Sequence, residues 1–205
     1  MKASVLAFLL ISLAFICKTI AAAEPVLDIS GKKVTTGVKY YILPVFRGKG
    51  GGLTVSNVNN LNSGNSTCPL YVVQEKLEVK NGQTVTFTPY NAKQGVILTS
   101  TDLNIKSYVK NYTCSNTQVW KLNKVLSGVW FLATGGVEGN PGFDTIVNWF
   151  KIEKADKDYV LSFCPSVSTT QTLCRELGLF VDDTGNKHLA LSDQVPSFRV
   201  VFKRA

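Results

Sequence analysis

The sequence contains a single histidine, His188, in 205 residues, and its five cysteines include no Cys-x-x-Cys pair. Structural zinc sites need closely spaced cysteine and histidine ligands, so we expect neither a metal site nor a cofactor. No motif supplies the serine or carboxylate that a catalytic histidine would require. His188 stands in an alternating His-Leu-Ala-Leu segment, where we expect a solvent-facing imidazole. The sequence therefore predicts a protein that is not an enzyme.

Concentrated positive charge is also missing, although the formal net charge is +8. Lysine and arginine occur singly or in small pairs, and no basic run is interleaved with aromatic residues as nucleic-acid recognition would need. This pattern indicates a solvated basic surface and no nucleic-acid partner. The glycine-rich segment at 48–52 lacks the spacing and the following helix of a phosphate-binding loop, so we expect a flexible turn there.

Long apolar runs are absent except near the N-terminus. There, Lys2 precedes an apolar stretch from position 5 to 16, and small residues follow at Ala21, Ala22 and Ala23. This order is typical of a secretory signal peptide, and the apolar run is shorter than the roughly 20 residues of a membrane span. We predict a signal peptide at 1–23 and a secreted mature chain at 24–205 without a membrane segment. Apoplast is the expected destination, and the vacuole stays open as an alternative.

Cysteine usage agrees with secretion. Cys17 falls in the predicted signal peptide, which leaves Cys68, Cys114, Cys164 and Cys174. An even number of cysteines in a secreted chain predicts disulfides, here two. Four cysteines allow three pairings, and spacing alone does not choose among them, although pairing neighbours is the simplest arrangement. Two glycosylation acceptor motifs, at Asn65 and Asn111, flank the first two of these cysteines.

The mature chain has the periodicity of strands. Short runs rich in β-branched and aromatic residues alternate with turn signals such as Asn81-Gly82, and no sustained helical stripe occurs. Ten or more short strands at close spacing predict an all-β barrel or sandwich. No linker-like segment divides the chain, so we predict one domain over 24–205.

A set of distinct segments follows in order along the mature chain at 26–34, 40–42, 68–74, 149–152, 163–165 and 189–192, with two more at 135–137 and 139–142. They include the run Tyr40-Tyr41-Ile42 and the segment Cys68-Pro69-Leu70. Together these segments resemble the plant Kunitz (soybean trypsin inhibitor) family, and those at 135–137 and 139–142 resemble its miraculin-like branch in particular. The resemblance implies a β-trefoil, a six-stranded barrel capped by three hairpins, without a catalytic site. It implies the disulfides Cys68–Cys114 and Cys164–Cys174. Because no cysteine lies between positions 166 and 172, we expect a monomer and no disulfide-linked dimer.

The resemblance also implies that a protease is bound by an exposed, substrate-like loop in the first half of the chain. Alignment places this reactive loop at 88–94, with Asn91–Ala92 as the scissile bond. Its residues are Pro89, Tyr90, Asn91, Ala92 and Lys93. A loop already held in the shape that the protease requires loses little entropy on association.

Two positions of this chain depart from the pattern of trypsin inhibitors. Trypsin's specificity pocket ends in a carboxylate, which the neutral amide of Asn91 cannot pair. Thr36 stands where typical members have an asparagine that supports the loop, and one hydroxyl cannot replace an amide. We therefore expect weak inhibition of trypsin, and a better target among proteases that accept small or amide residues. Lys93 offers a basic residue if the loop is presented in a shifted register.

Two functions remain open from the sequence. One is an inhibitor of secreted, pathogen or herbivore proteases of the serine class, with the cysteine class as an extension. The other is a non-inhibitory binding module, in which loops of the trefoil bind a carbohydrate or a receptor. A third interpretation is that 91–94 is only a hairpin tip and plays no part in binding.

Overall fold

The structure is a computed structural model that describes residues 23–57, 68–110, 114, 117–124, 129–169, 173–191 and 195–205. Asn65, Asn111 and the predicted signal peptide up to residue 22 lie outside the described residues. The described residues form twelve strands and one short 3₁₀ helix at Phe143–Asn148, so the all-β prediction is confirmed. The strands are β1 Tyr40–Pro44, β2 Leu53–Ser56, β3 Tyr71–Gln74, β4 Val85–Pro89, β5 Leu103–Ser107, β6 Trp120–Lys124, β7 Trp130–Thr134, β8 Lys151–Ala155, β9 Asp158–Phe163, β10 Arg175–Val181, β11 Lys187–Leu191 and β12 Arg199–Arg204.

Six strands close into a barrel. Strand β1 pairs with β12 and β4, β4 pairs with β5, and β9 pairs with both β8 and β12, all antiparallel. The bridge from Leu103 of β5 to Phe150, directly before β8, completes the ring. A closed barrel leaves no strand edge free, which removes the main route to edge-to-edge aggregation.

The other six strands form three hairpins that meet at one end of the barrel. The hairpins are β2–β3, β6–β7 and β10–β11. They touch one another through the pairs Tyr71↔Ala133, Ala190↔Phe131 and His188↔Val73. Two barrel strands and one hairpin therefore repeat three times along the chain. This is the β-trefoil that the resemblance implies.

The barrel encloses an apolar core. Strand β1 alternates buried and half-buried residues, which places Tyr40 and Ile42 inside. Phe87 and Phe202 are fully buried and meet edge to face, with ring centroids 5.4 Å apart. Each fully buried side chain of this size contributes about 1.5–3 kcal/mol, so the twelve short strands are stabilised by their shared interior.

Both disulfides join neighbouring cysteines, as the resemblance implies. Cys68–Cys114 links residues 46 positions apart, and Cys164–Cys174 closes a ten-residue separation in the β9–β10 connection. On the loop-entropy account they contribute about 4 and about 3 kcal/mol.

The expectation that His188 faces solvent is wrong. His188 is fully buried, since β11 lies inside the cap between β10 on one side and β3 and β7 on the other. Its ring packs beside those of Tyr71 and Phe131, and its Nε2 lies 2.8 Å from Asp182 Oδ2. Alternation along a strand predicts exposure only where one face of the sheet is open to water.

The expectation of a flexible turn at 48–52 is wrong for its last three residues, whereas Gly48 and Lys49 form an exposed bend. Gly50, Gly51 and Gly52 are buried beneath the β3–β4 connection. A Cβ atom on Gly51 would lie 2.2 Å from the carbonyl oxygen of Lys80 and 2.5 Å from that of Leu77. Only glycine allows the two backbones to approach so closely. Within the part of the chain that the structure describes, no helix has the length and apolar character of a membrane span.

Candidate functional site

The predicted reactive loop lies in the β4–β5 connection. Pro89 is the last residue of β4 and is buried, whereas Tyr90, Asn91, Ala92 and Lys93 are exposed. The loop therefore leaves the barrel abruptly, and its tip is open to a macromolecular partner. Lys93 carries the only formal charge between positions 89 and 94.

The tip is folded into a hydrogen-bonded turn. The Gln94 N–H donates to the carbonyl of Asn91 over 2.9 Å, and the Lys93 N–H donates to the side-chain oxygen of Asn91 over 3.3 Å. Asparagine favours such turns because its amide oxygen accepts from the backbone two residues on. The Asn91–Ala92 peptide thus lies at the start of a turn, and both oxygens of Asn91 are engaged within the loop.

The C-terminal end of the turn is held by the N-terminal segment of the protein. The Thr36 hydroxyl donates to the Gln94 carbonyl over 2.9 Å, and the Thr36 N–H donates to the Gly95 carbonyl over 3.1 Å. A backbone bridge from Thr35 to Val96 continues this pairing. Thr36 therefore contacts the loop where the resemblance places a supporting residue, but its hydroxyl bonds to Gln94, beyond the predicted scissile bond.

The other end of the loop is held by Asp102, directly before β5. The Tyr90 N–H donates to the Asp102 carbonyl over 2.8 Å, and the Tyr90 ring meets Trp149 with centroids 6.1 Å apart. The Asp102 carboxylate accepts from the Ser166 N–H over 3.1 Å. Burial raises the pKa of Asp102, and the Ser166 hydrogen bonds and the charge of Lys151 oppose this rise only in part. Asp102 thus connects the reactive loop with the segment closed by Cys164–Cys174.

A cavity of about 290 Å³ lies between these two segments. Asn91 and Gln94 border it from the loop, and Asp102 and Ser166 border it from the opposite side. The two ends of the 91–94 turn therefore border this cavity, whereas Ala92 and Lys93 do not line it.

The β7–β8 connection packs beside the base of the reactive loop. The Thr88 hydroxyl donates to Glu138 over 2.6 Å, and Lys106 pairs with Glu138 over 3.2 Å. Burial alone would raise the pKa of Glu138, but the bonds from Thr88 and Lys106 outweigh it and lower the pKa below its usual value. The Gly139 N–H donates to the side chain of Asn104 over 2.7 Å, which fixes the β7–β8 connection against β5.

Sequence reasoning identified the loop and Thr36 but missed Asp102 and Glu138. Neither acid belongs to a motif, and their partners lie 64 and 50 positions away along the chain. The turn signal at 139–142 was the one available hint that a long connection packs near the loop. Among the described residues no group of three or more His, Cys, Asp and Glu side chains is placed to hold a metal ion.

The reactive loop is an exposed segment of a β-trefoil protein, held at one end by the N-terminal segment and at the other by Asp102. Residues 26–204 match the family model of the plant Kunitz proteins, described as trypsin and protease inhibitor. The chain belongs to this family.

Relatives agree with that assignment. The chain is 50% identical over 190 residues to Kunitz trypsin inhibitor 5 of Arabidopsis thaliana, an alignment that covers 91% of this chain and 89% of the relative. It is 43% identical to miraculin of Synsepalum dulcificum over 87% of this chain and 83% of miraculin. The structure of a Kunitz-type cysteine protease inhibitor from potato superposes with a TM-score of 0.74 at 31% identity, covering 89% of this chain and 98% of that one.

Proposed function

We propose that this protein is a secreted, non-enzymatic inhibitor of endopeptidases that acts through its reactive loop and binds trypsin weakly. The observation that carries the proposal is the exposure of Tyr90, Asn91, Ala92 and Lys93 on a loop whose two ends are held by hydrogen bonds. Thr36 of the N-terminal segment holds one end, and Asp102 holds the other. Anchored ends restrict the loop before a protease arrives, which reduces the entropy lost on binding. Family membership supports the same function.

Weak action on trypsin follows from the residue at the loop tip. A protease that binds Asn91–Ala92 as a substrate must hold the Asn91 carbonyl in its oxyanion hole. That carbonyl accepts the Gln94 N–H, so the turn has to open first. The Asn91 amide would also leave the carboxylate of the trypsin pocket unpaired, which costs several kcal/mol. Proteases whose pockets accept an amide or a small side chain avoid this second cost.

Secretion rests on the signal-peptide pattern at 1–23 and on two disulfides, since disulfides persist in oxidising compartments. The partners we propose are secreted, pathogen or herbivore proteases, of the serine class first and of the cysteine class second. The inhibitor acts as a monomer in the apoplast, with the vacuole as the alternative destination.

The test is a protease panel run on the wild type and three variants. The panel holds trypsin, a subtilisin, a papain-like protease and an asparagine-cleaving cysteine protease. We expect weak trypsin inhibition by the wild type, a large gain for Asn91→Arg, and no change for Lys157→Ala, an exposed lysine in the β8–β9 turn. Nanomolar trypsin inhibition that Lys93→Ala abolishes would instead assign Lys93 as the scissile residue.

A second candidate is a non-inhibitory binding module for a carbohydrate or a receptor. The closed turn at 91–94 favours it, because an internally bonded tip is not extended as a bound substrate is. Failure of the whole panel together with specific binding on a glycan array would establish this function in place of inhibition.

A further inference from the structure

A second concave site lies where the β10–β11 hairpin meets the barrel. It is a cavity of about 230 Å³, well away in sequence from the reactive loop. The β1–β2 connection, β10 and the start of β12 form its walls. Its apolar lining comes from Pro44, Phe46, Leu179, Val181, Pro196 and Phe198.

Two large apolar side chains stand exposed at this cavity. Phe46 is 64% exposed and Val181 is 56% exposed, whereas Leu179 and Phe198 pack against the barrel core. The cavity is therefore an apolar cleft whose inner wall packs on the core and whose outer side chains, Phe46 and Val181, are exposed. A cavity of about 150 Å³ suffices to hold benzene, so the volume here admits an aromatic ring together with a substituent.

Three cationic side chains border the same cleft, and no acidic residue lines it. Arg199 is already neutralised by Asp158 and Asp156. Lys187 donates to the backbone carbonyl of Lys49, which ties β11 to the β1–β2 connection. The ammonium group of Lys49 forms no ion pair with a described residue. The nearby carboxylate of Glu176 does not line the cleft and accepts a hydrogen bond from the Ser197 hydroxyl.

The cleft combines apolar walls with the ammonium groups of two lysines that pair with no described carboxylate. It therefore matches a ligand that has an apolar ring and a negative charge. We propose that this cleft binds a small aromatic carboxylate, with the ring between Phe46 and Val181 and the carboxylate at Lys49 and Lys187. A neutral aromatic molecule of the same shape would make the ring contacts but could not pair its charge with the lysines, so it should bind more weakly than the carboxylate. This site is independent of the proposed protease inhibition, because no residue of the reactive loop takes part in it.

Binding is tested with 2-naphthoate against the neutral, similarly shaped 2-naphthalenemethanol. Titration of isotope-labelled protein by NMR should give saturable 1:1 binding of 2-naphthoate with a dissociation constant at or below about 1 mM, as expected for a ligand of this size. The shifted amides should cluster at 44–49, 179–187 and 196–199. The neutral analogue should bind at least threefold more weakly.

Variants then separate this site from any other apolar surface. Phe46→Ala and Lys49→Gln should each weaken 2-naphthoate binding about fivefold, which corresponds to one lost contact or ion pair. The matched controls are Phe143→Ala and Lys33→Gln, exposed residues that do not line the cleft and should change nothing. The proposal would be overturned if the two naphthalenes bound equally well or if the shifted amides lay outside the cleft. Unchanged binding of 2-naphthoate to the Phe46→Ala variant would also overturn it. A Phe46-dependent dimer in sedimentation would do so too, since a second copy would then be the occupant.

Discussion

The hydroxyl of Thr36 donates to the carbonyl of Gln94 over 2.9 Å and so joins the N-terminal segment to the reactive loop. The two residues are 58 positions apart, and the contact lies at the C-terminal end of the 91–94 turn. Thr36 thus supports the loop at one end of this turn.

Thr36→Val should loosen the loop. The substitution removes one partly buried hydrogen bond while keeping the shape of the side chain, and we expect a loss of about 1 kcal/mol in the free energy of unfolding. Limited proteolysis should cut the loop near Lys93 faster than in the wild type, as mass spectrometry of the fragments would show. Thr36→Ser keeps the hydroxyl and should behave like the wild type. Unchanged cleavage in Thr36→Val would mean that the backbone pairing at Gly95 suffices.

The carboxyl of Asp102 should impose a pH dependence on stability. Its pKa is raised in the folded protein, chiefly by burial. The stability it contributes is therefore present below the unfolded pKa, near 3.9, and is lost as the pH rises through the folded pKa. Asp102→Asn removes this loss. The free energy of unfolding of the variant relative to the wild type should rise between pH 3 and pH 7 in denaturant titrations.

The matched control for Asp102→Asn is Asp144→Asn, an exposed acid in the first turn of the 3₁₀ helix. As a substitution of an exposed surface residue, it should change the free energy of unfolding by no more than about 0.5 kcal/mol. A falling difference for Asp102→Asn would show that the Ser166 hydrogen bonds outweigh burial.

The carboxyl of Asp182 should make the stability of the protein depend on pH in the opposite direction. Burial opposes ionisation, but bonds from His188, Thr184 and Asn186 outweigh it and hold the pKa of Asp182 far below its ordinary value. The stability it contributes is present above the unfolded pKa and is lost as the pH falls through the folded pKa. Asp182→Asn should cost about 2 kcal/mol at pH 7, and the difference should shrink below about pH 4.

Asp183→Asn serves as the control for Asp182→Asn, because Asp183 is the exposed neighbour in the same turn. It should leave thermal and denaturant unfolding unchanged. If both variants behave alike, the pair with His188 does not stabilise the cap.

The glycines under the β3–β4 connection give a prediction of steric origin. Gly51→Ala would place a methyl group 2.2 Å from a backbone oxygen, so one of the two connections must move. We expect a loss of about 3 kcal/mol or more, measured by denaturant unfolding. Gly142→Ala, where an added Cβ has no heavy atom within 4 Å, should lie within about 0.5 kcal/mol of the wild type.

These residues also show where sequence reasoning reached its limit. Strand composition and turn signals predicted the all-β class, and the quoted segments led to the trefoil and to the disulfide pairing. The three-fold repeat was not visible in the sequence, because the contacts that bring the three hairpins together join residues far along the chain, as Tyr71 meets Ala133. His188 and Gly51 were misjudged for the same reason: a local pattern shows neither that a strand is covered on both faces nor that a distant connection crosses a turn.

The sequence predicted where the candidate site lies along the chain but not the conformation of its loop. The prediction that Asn91 is unsuited to trypsin needed only its side chain, since charge pairing follows from residue type. The turn that engages its carbonyl, and the anchoring of Tyr90 by Asp102, depend on contacts among several segments. Such contacts leave no signature in the order of residues.

The last prediction joins the two positions that depart from the trypsin-inhibitor pattern. Asn91→Arg supplies the charge that the trypsin pocket requires, and Thr36→Asn offers an amide that can bond the loop at more than one atom. Residues that act on one loop are not expected to be additive. The double variant should therefore inhibit trypsin more strongly than the product of the two single gains, by about fivefold in the inhibition constant, an interaction of about 1 kcal/mol. Simple additivity would show that Thr36 supports Gln94 without influencing the tip at which the protease binds.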